Sequence, residues 1–268
     1  MFSTGHIIFI VISILIITVG ICLYRKYNVS FEKMLNICLL VCILSEIIKV
    51  FSVIKIEPIL YPVIQNGEIF YDSSGAYTPY LRIVDLPFEL CSLNIILLII
   101  LHFTQNEKFK DVLTSILYTT CLIGGTLGIV LSSIAPYITD LFSFATSIRT
   151  WQFFIYHSML VIYGIYLYEN KEYPIRFENL KYVFLFLIIL DFLSLYVNSV
   201  FINPIYVNGN ELIGVRNQVN FFSSYNNPLN IPMKTKSEWL TYVAIKYIIG
   251  SFVILMAFIP FRSKNKSK

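Results

Sequence analysis

Residues 6–26 read HIIFIVISILIITVGICLYRK, a long apolar run that ends at the basic pair Arg25-Lys26. A helix needs roughly 20 apolar residues to cross a bilayer, and this run is long enough. A cleaved signal peptide carries its positive charge before the apolar stretch, whereas residues 1–5 are uncharged here. We therefore predict a retained transmembrane helix, and the basic pair after it predicts an N-terminus outside the cell.

Further apolar windows follow along the 268-residue chain, and with the first they make seven. They cover residues 6–24, 34–56, 86–104, 112–134, 149–168, 182–202 and 239–261. Only 13% of the residues are charged, against about 25% in an average soluble domain. This composition excludes an ordinary soluble enzyme, a disordered tail and a nucleic-acid-binding protein. We predict an all-α membrane protein, a seven-transmembrane-helix bundle that forms one polytopic domain over residues 1–268.

The distribution of Lys and Arg predicts the orientation of the bundle. With the N-terminus outside, the three cytoplasmic loops and the C-terminal tail carry 12 Lys and Arg residues. The longer outer segments carry only five, and cytoplasmic loops are the ones enriched in these residues. The expected protein is a multi-pass protein of the cell membrane with its C-terminus in the cytoplasm.

The two longest outer loops, about 57–85 and 203–238, each contain an Asn-Gly pair between strand-forming residues. These pairs are Asn66-Gly67 and Asn208-Gly209. Asn-Gly in this setting favours a type I′ turn, which joins the strands of a β-hairpin. We expect two outer hairpins, which either cover a site at the outer surface or serve only as connections.

Ionisable and polar residues inside membrane helices are costly and are candidates for function. Most of those found here fall in the outer half of the predicted spans. The set comprises Glu46, Lys49, Glu89, Cys91, Asn94, Gln152, His157, Asp191, Ser194, Asn198 and Lys246. Cys91 and His157 lie at similar predicted depths, about 8 and 12 Å, on different helices. For Glu46 with Lys49, and for Asp191 with Lys246, a purely structural ion pair is the alternative.

The remaining chemistry-bearing residues have simpler interpretations. Cys22, Cys38, Cys42 and Cys121 are expected to fill apolar space, and no Cys lies in an outer loop where a disulfide framework would form. Gly124, Gly125 and Gly128 indicate close helix packing rather than a phosphate loop. No metal-ligand set, nucleotide motif or cofactor motif is visible, so we expect no cofactor and no metal.

Several of these residues belong to short motifs that resemble a family of small bacterial integral membrane proteins of the YwaF type. The motifs are Leu86-Pro-Phe-Glu-Leu-Cys91, Phe153-Phe-Ile-Tyr-His157, Asn220-Phe-Phe-Ser-Ser-Tyr-Asn-Asn-Pro228, and Trp239 followed by Tyr242. They spread over the third to seventh spans. The chain departs from the family in the 220–240 segment, where polar residues and Lys replace much of an apolar, Pro-rich stretch.

The bacterial family looks related to eukaryotic multi-pass acyltransferases that remodel ether phospholipids with a Cys and a His on separate spans. The residues similar to that pair are Cys91 and His157. The resemblance implies acyl transfer within the membrane, with membrane lipids as partners and no indicated nucleic-acid or protein partner. Cys91 would attack a lipid ester in the outer leaflet, and His157 would take the thiol proton.

Neighbouring polar residues are candidates to support that pair. Asp191, Asn198 or Glu46 would orient the imidazole, and Asn94 would donate to the oxyanion. Glu89 is a further candidate because it lies close to Cys91. Transfer to water would make the protein a lipid hydrolase, and transfer to a lysolipid would make it an acyltransferase. The alternatives are a transporter or solute-binding protein with an outward-facing polar cavity, and a non-catalytic membrane scaffold.

Overall fold

The structure is a computed structural model that describes residues 3–65, 68–82, 85–86, 90–131, 141–207, 211–217, 221, 231 and 234–262. Within this part of the chain, helices and two antiparallel strand pairs make up the fold. The helices are α1 (Thr4–Lys26), α2 (Phe31–Val53), α3 (Leu90–Phe103), α4 (Glu107–Val130), α5 (Leu141–Thr146), α6 (Ile148–Glu169), α7 (Leu180–Val200) and α8 (Lys236–Phe258). Apart from the short α5, each helix corresponds to one predicted span.

The helices differ in how well they suit a bilayer. Among the described residues, five are long and apolar enough to cross a membrane: α1, α2, α4, the segment Phe177–Val200 that contains α7, and the segment Lys236–Phe261 that contains α8. Helix α3 is apolar but has only 14 described residues. Helix α6 is long but is not one of the five. The chain is therefore a multi-pass membrane protein, and the count of seven spans stays a prediction.

Helix α6 occupies the centre of the bundle, where it packs against α1, α2 and α4. Fifteen of its 22 residues are buried, including the polar residues Gln152, His157 and Ser158. A helix surrounded by other helices need not present apolar side chains to lipid in every direction. Its central position explains why α6 is less apolar than the outer helices.

Helix starts follow local capping chemistry. The side chains of Ser3, Asn106, Ser147 and Thr235 each accept a hydrogen bond from a backbone N–H in the first turn of the helix that follows. At α8 the Glu238 side chain also accepts from the Thr235 backbone N–H, which completes a capping box. These contacts satisfy donors that a helix leaves unpaired at its N-terminus.

The two predicted hairpins are both present. Strands β1 (Lys55–Gln65) and β2 (Glu68–Tyr80) pair antiparallel, as do β3 (Ile202–Val207) and β4 (Glu211–Asn217). The Asn-Gly pairs themselves lie outside the described residues. The hairpins leave the C-terminal ends of α2 and α7, and we call this end of the bundle, where α3, α6 and α8 begin, the hairpin end.

The opposite end of the bundle is held by polar contacts between helices. Arg25 forms an ion pair with Glu169, and the Tyr24 hydroxyl donates to the same carboxylate at 2.9 Å, so α1 is joined to α6. Asn179 donates to Ser115 Oγ at 3.0 Å, which joins the turn before α7 to α4. The Tyr118 hydroxyl donates to the Ala257 carbonyl at 3.0 Å and joins α4 to α8.

An ion pair joins α7 and α8 halfway along both helices. Lys246 Nζ lies 2.5 Å from Asp191 Oδ1, and the Tyr247 hydroxyl donates to Oδ2 at 2.8 Å. The Lys246 and Asp191 side chains are 26% and 16% exposed. A largely buried charge that loses its partner is strongly destabilising, so this contact holds α7 and α8 together.

Replacing Asp191 by Asn should lower the free energy of unfolding by about 1–3 kcal/mol, because Lys246 would keep its charge without a counterion. The double variant Asp191→Asn/Lys246→Met should recover most of the loss. Glu107→Gln is the matched control, because Glu107 is 67% exposed in its pair with Lys110 and such pairs contribute little. Thermal unfolding in detergent measures all three. Equal destabilisation of the single and double variants would contradict this assignment.

Candidate functional site

The candidate site lies where α3 and α6 both pack against a glycine face of α4, formed by Gly124, Gly125 and Gly128. A Cβ added at Gly125 would lie 3.1 Å from the His157 backbone oxygen and 3.2 Å from Leu160 Cβ. Glycine therefore lets the backbones of α4 and α6 approach closely, as small residues do in membrane helix packing. The prediction of close packing is confirmed at Gly125 and Gly128, whereas a Cβ at Gly124 would make only ordinary contacts, 3.6 Å from Leu90 and 3.9 Å from Cys91.

Cys91 contacts this face from α3. Its Sγ lies 3.7 Å from the Gly124 carbonyl oxygen, to which the thiol donates a weak hydrogen bond. The side chain is half-buried. The Tyr156 hydroxyl on α6 donates to the Cys91 backbone oxygen, so α3 and α6 are directly joined beside the thiol.

His157 contacts the same face from α6. Its Nδ1 lies 2.8 Å from the Phe153 carbonyl oxygen. Because a carbonyl can only accept, Nδ1 carries the proton and Nε2 of the neutral imidazole keeps its lone pair. The ring packs at a tilt against Phe153, with ring centroids 4.1 Å apart, and Nε2 would lie 2.5 Å from a Cβ placed at Gly128.

Cys91 and His157 therefore meet adjacent turns of one helix face. Sγ would be 3.9 Å from a Cβ at Gly124, and Gly128 follows one helical turn later. Helix positions four apart have Cβ atoms about 5–6 Å apart, so Sγ and Nε2 lie within roughly 12 Å of each other. The two side chains approach this face from different helices, α3 and α6.

A π-helical turn, Thr120–Gly124, is the part of α4 that binds the side chains of Asn94 and Cys91 on α3. At its start, Thr120 Oγ1 donates to Asn94 Oδ1 at 2.6 Å, and at its end Gly124 accepts from Cys91. Asn94 is fully buried, and its Nδ2 has no hydrogen-bond partner among the described residues. Such wider turns are frequent at functional sites. Asn94 thus presents two unused donors one turn along α3 from the thiol.

The other candidate support residues have partners of their own. Glu46 pairs with Lys49 on α2, and Asp191 binds Lys246 and Tyr247. Asn198 exchanges two 3.0 Å hydrogen bonds with the backbone of Phe221, the described residue of the Asn220–Pro228 motif. Glu89 lies outside the described residues. The imidazole is oriented by a backbone carbonyl rather than by Glu46, Asp191 or Asn198.

Two contributors to the site have no role in the sequence interpretation, namely Tyr156 and Thr120. Their hydrogen bonds cross between helices, and each residue in its own sequence context is an ordinary helix residue.

Cys38, Cys42 and Cys121 are fully buried, with Cys38 Sγ 4.0 Å from Cys42 Sγ. In the part of the chain that the structure describes, His, Cys, Asp and Glu residues form no group of three able to hold a metal ion.

Gly128→Ala should displace the imidazole and lower the free energy of unfolding by about 1–3 kcal/mol, because the new methyl group would overlap the His157 ring. Gly250→Ala on α8 is the matched control, since its Cβ would meet no atom within 4 Å and the substitution should be neutral or stabilising. Thermal unfolding of the two variants tests this close packing. A Gly128→Ala protein as stable as the control would contradict it.

Comparison with known proteins gives one match. The model of the TMEM164 family matches residues 1–261, which is nearly the whole chain. Searches of curated proteins and of solved structures found no significant match. The match includes every helix described above and both residues of the candidate pair. The chain therefore belongs to the TMEM164 family of multi-pass membrane proteins.

Proposed function

We propose that this protein transfers an acyl group from a membrane lipid through a thioester on Cys91, with His157 as the base. The observation that supports this most is the approach of both side chains to neighbouring turns of the α4 glycine face, with Nε2 of His157 unprotonated. A nucleophile and a base must reach hydrogen-bond distance of each other. The hydrogen bond from the Cys91 thiol to the Gly124 carbonyl is weak. For the reaction the thiol would break this hydrogen bond and turn toward Nε2 of His157.

In the first half-reaction, Nε2 takes the thiol proton and the thiolate attacks the carbonyl carbon of a lipid ester. The carbon–sulfur bond forms and the carbonyl electrons move to oxygen, giving a tetrahedral oxyanion. The oxyanion then collapses, the ester C–O bond breaks, and the imidazolium returns its proton to the departing lysolipid oxygen. Cys91 is left as a thioester and His157 as neutral imidazole.

The second half-reaction reverses these roles. His157 removes a proton from the acceptor hydroxyl, whose oxygen attacks the thioester carbon. The carbon–sulfur bond breaks and the thiolate recovers the proton from the imidazolium. A lysolipid acceptor gives a new phospholipid, and water gives a fatty acid. We propose the lysolipid as the main acceptor, because the imidazole lies among aromatic and apolar side chains inside the bundle.

Asn94 is the proposed oxyanion donor. Thr120 fixes its carbonyl oxygen, which leaves the buried Nδ2 group to donate to developing negative charge near Cys91. Donors that are already oriented before the reaction stabilise an oxyanion most effectively. The Phe153 carbonyl accepts a hydrogen bond from Nδ1 of His157. This contact holds His157 in the tautomer whose Nε2 can accept the thiol proton.

We further propose that the hairpin end faces the outside of the cell membrane. The three loops and the tail at the opposite end carry 12 Lys and Arg residues, against five in the segments at the hairpin end. Cytoplasmic loops are enriched in these residues, which supports this orientation. It places Cys91 and His157 in the outer half of the bilayer, where the ester groups of the outer leaflet lie close to the headgroups. Reaction would then occur on outer-leaflet lipids.

Cys91→Ser and His157→Gln should each lower lipid turnover at least about 100-fold, because each removes one member of the nucleophile–base pair. Cys22→Ser is the control, since Cys22 is an exposed thiol in α1. The assay follows radiolabelled acyl groups from phospholipid to lysolipid in proteoliposomes, with circular dichroism as a check of the fold.

The outcomes of that experiment separate three functions. Full turnover by Cys91→Ser would contradict the thioester mechanism. Solute flux that persists in both variants without lipid turnover would identify a transporter. A loss of stability without any measurable activity in the parent protein would fit a scaffold.

Asn94→Leu should lower kcat by about 10²–10³-fold with little change in KM, because it removes only a donor to the transition state. Thr120→Val, which keeps Asn94 but frees its orientation, should lower kcat less. Steady-state kinetics with a short-chain phospholipid measure both parameters. A KM effect alone would instead assign Asn94 to substrate binding.

A further inference from the structure

A polar network joins α2 to α6 on the side of His157 that faces the hairpin end. Gln152 Nε2 donates to Ser45 Oγ at 2.6 Å, and both residues are buried. The other side of the same amide, Gln152 Oε1, accepts from the guanidinium of Arg149. The amide is therefore fixed in one orientation, and it holds the Arg149 side chain against α6.

The α2 side of this network carries a second cation. Lys49 forms an ion pair with Glu46, one turn earlier on the same helix. The Lys49 side chain is only 7% exposed, whereas that of Glu46 is 27% exposed. An ammonium group has three donors, so the pair with Glu46 leaves Lys49 able to bind a further acceptor.

The two cations lie at the same level of the bundle. Helix α2 runs toward the hairpin end and α6 runs away from it. Lys49 comes after Ser45 on α2, and Arg149 comes before Gln152 on α6. Both cationic residues therefore lie on the side of the Ser45–Gln152 hydrogen bond that is nearer the hairpin end. The Cα atoms of Lys49 and Arg149 thus lie about one turn, roughly 5 Å, beyond the Ser45–Gln152 hydrogen bond, and their side chains turn back to Glu46 and to Gln152. One cationic residue thus lies on each of the two helices that the Ser45–Gln152 hydrogen bond joins, at one level of the bundle.

This place is aligned with the candidate catalytic pair. Arg149 precedes His157 by eight residues on α6, but its guanidinium turns back to Gln152, which precedes His157 by five residues, a rise of about 7.5 Å. The phosphate and the ester carbonyl of a glycerophospholipid are separated by only a few covalent bonds. A lipid whose phosphate lies near Lys49 and Arg149 can therefore extend its ester toward Cys91 and His157.

We propose that Lys49 and Arg149 bind the phosphate group of the lipid substrate. This inference rests on the proposed acyl transfer for its alignment, and it adds the two residues that would hold the phosphate of the phospholipid. The guanidinium fork matches phosphate oxygens, and the ammonium group adds a point charge from the facing helix. The ion pair with Glu46 orients the Lys49 side chain inside the bundle.

Binding of a diether phospholipid tests this site apart from catalysis, because an ether linkage cannot be attacked by a thiol. The purified full-length chain in detergent is titrated with a short-chain diether phosphatidylethanolamine and with the corresponding dialkylglycerol, which lacks phosphate. The wild-type protein should bind the phospholipid at least about tenfold more tightly, as expected for hydrogen bonds to charged groups. Equal affinity for the two lipids would overturn the proposal.

Lys49→Gln and Arg149→Gln should each weaken phospholipid binding about tenfold and leave dialkylglycerol binding unchanged. Lys55→Gln is the matched control, because Lys55 is an exposed lysine just beyond the same end of α2. Wild-type affinity in both site variants would also overturn the proposal. The wild-type comparison decides the matter even where a variant does not fold.

Two further measurements distinguish a lipid-phosphate site from a site for free phosphate and from the catalytic pair. Inorganic phosphate that binds as tightly as the diether phospholipid would overturn the lipid assignment in favour of free phosphate. Cys91→Ser should bind the diether lipid with wild-type affinity, which supports the site independently of catalysis. If Cys91→Ser retains turnover while Lys49→Gln loses binding, the thioester mechanism fails and the phosphate site stands.

Discussion

The close approach of α3 and α6 to the glycine face of α4 is the constraint on which the rest of this structure depends. Gly128 lies against the His157 ring, so a side chain there would push the ring away, and the Gly124 carbonyl accepts from the Cys91 thiol. Neither contact is strong. Their importance lies in bringing sulfur and imidazole from separate helices to adjacent turns of a third helix inside the bundle.

The central position of α6 follows from the same arrangement. Polar residues are unfavourable against lipid, but within the bundle three of those on α6 bind neighbouring helices or their own backbone. Gln152 binds Ser45 of α2, Tyr156 binds the backbone of α3, and His157 binds the carbonyl of Phe153. One helix thus supplies the proposed base, a direct link to the segment that bears the nucleophile, and the amide that positions Arg149.

Much of this was accessible from the sequence, because helix length and apolar character are properties of single segments. The windows located every long helix, and the two Asn-Gly pairs located both hairpins. Contacts between helices were less accessible. Asp191 was a candidate to orient His157, yet it binds Lys246 and Tyr247 on α8, and a backbone carbonyl takes the orienting role. The π-helical turn and the Tyr156 contact had no sequence signal, since both depend on which helices become neighbours.

The most direct test of the proposed mechanism is the mass of the intact protein after brief incubation with a short-chain phospholipid. We predict that Cys91 gains the mass of one acyl group, that hydroxylamine removes it as it does other thioesters, and that His157→Gln forms little of it. An acyl mass on another residue would contradict the mechanism, as would acylation of Cys91 that is equally rapid in His157→Gln.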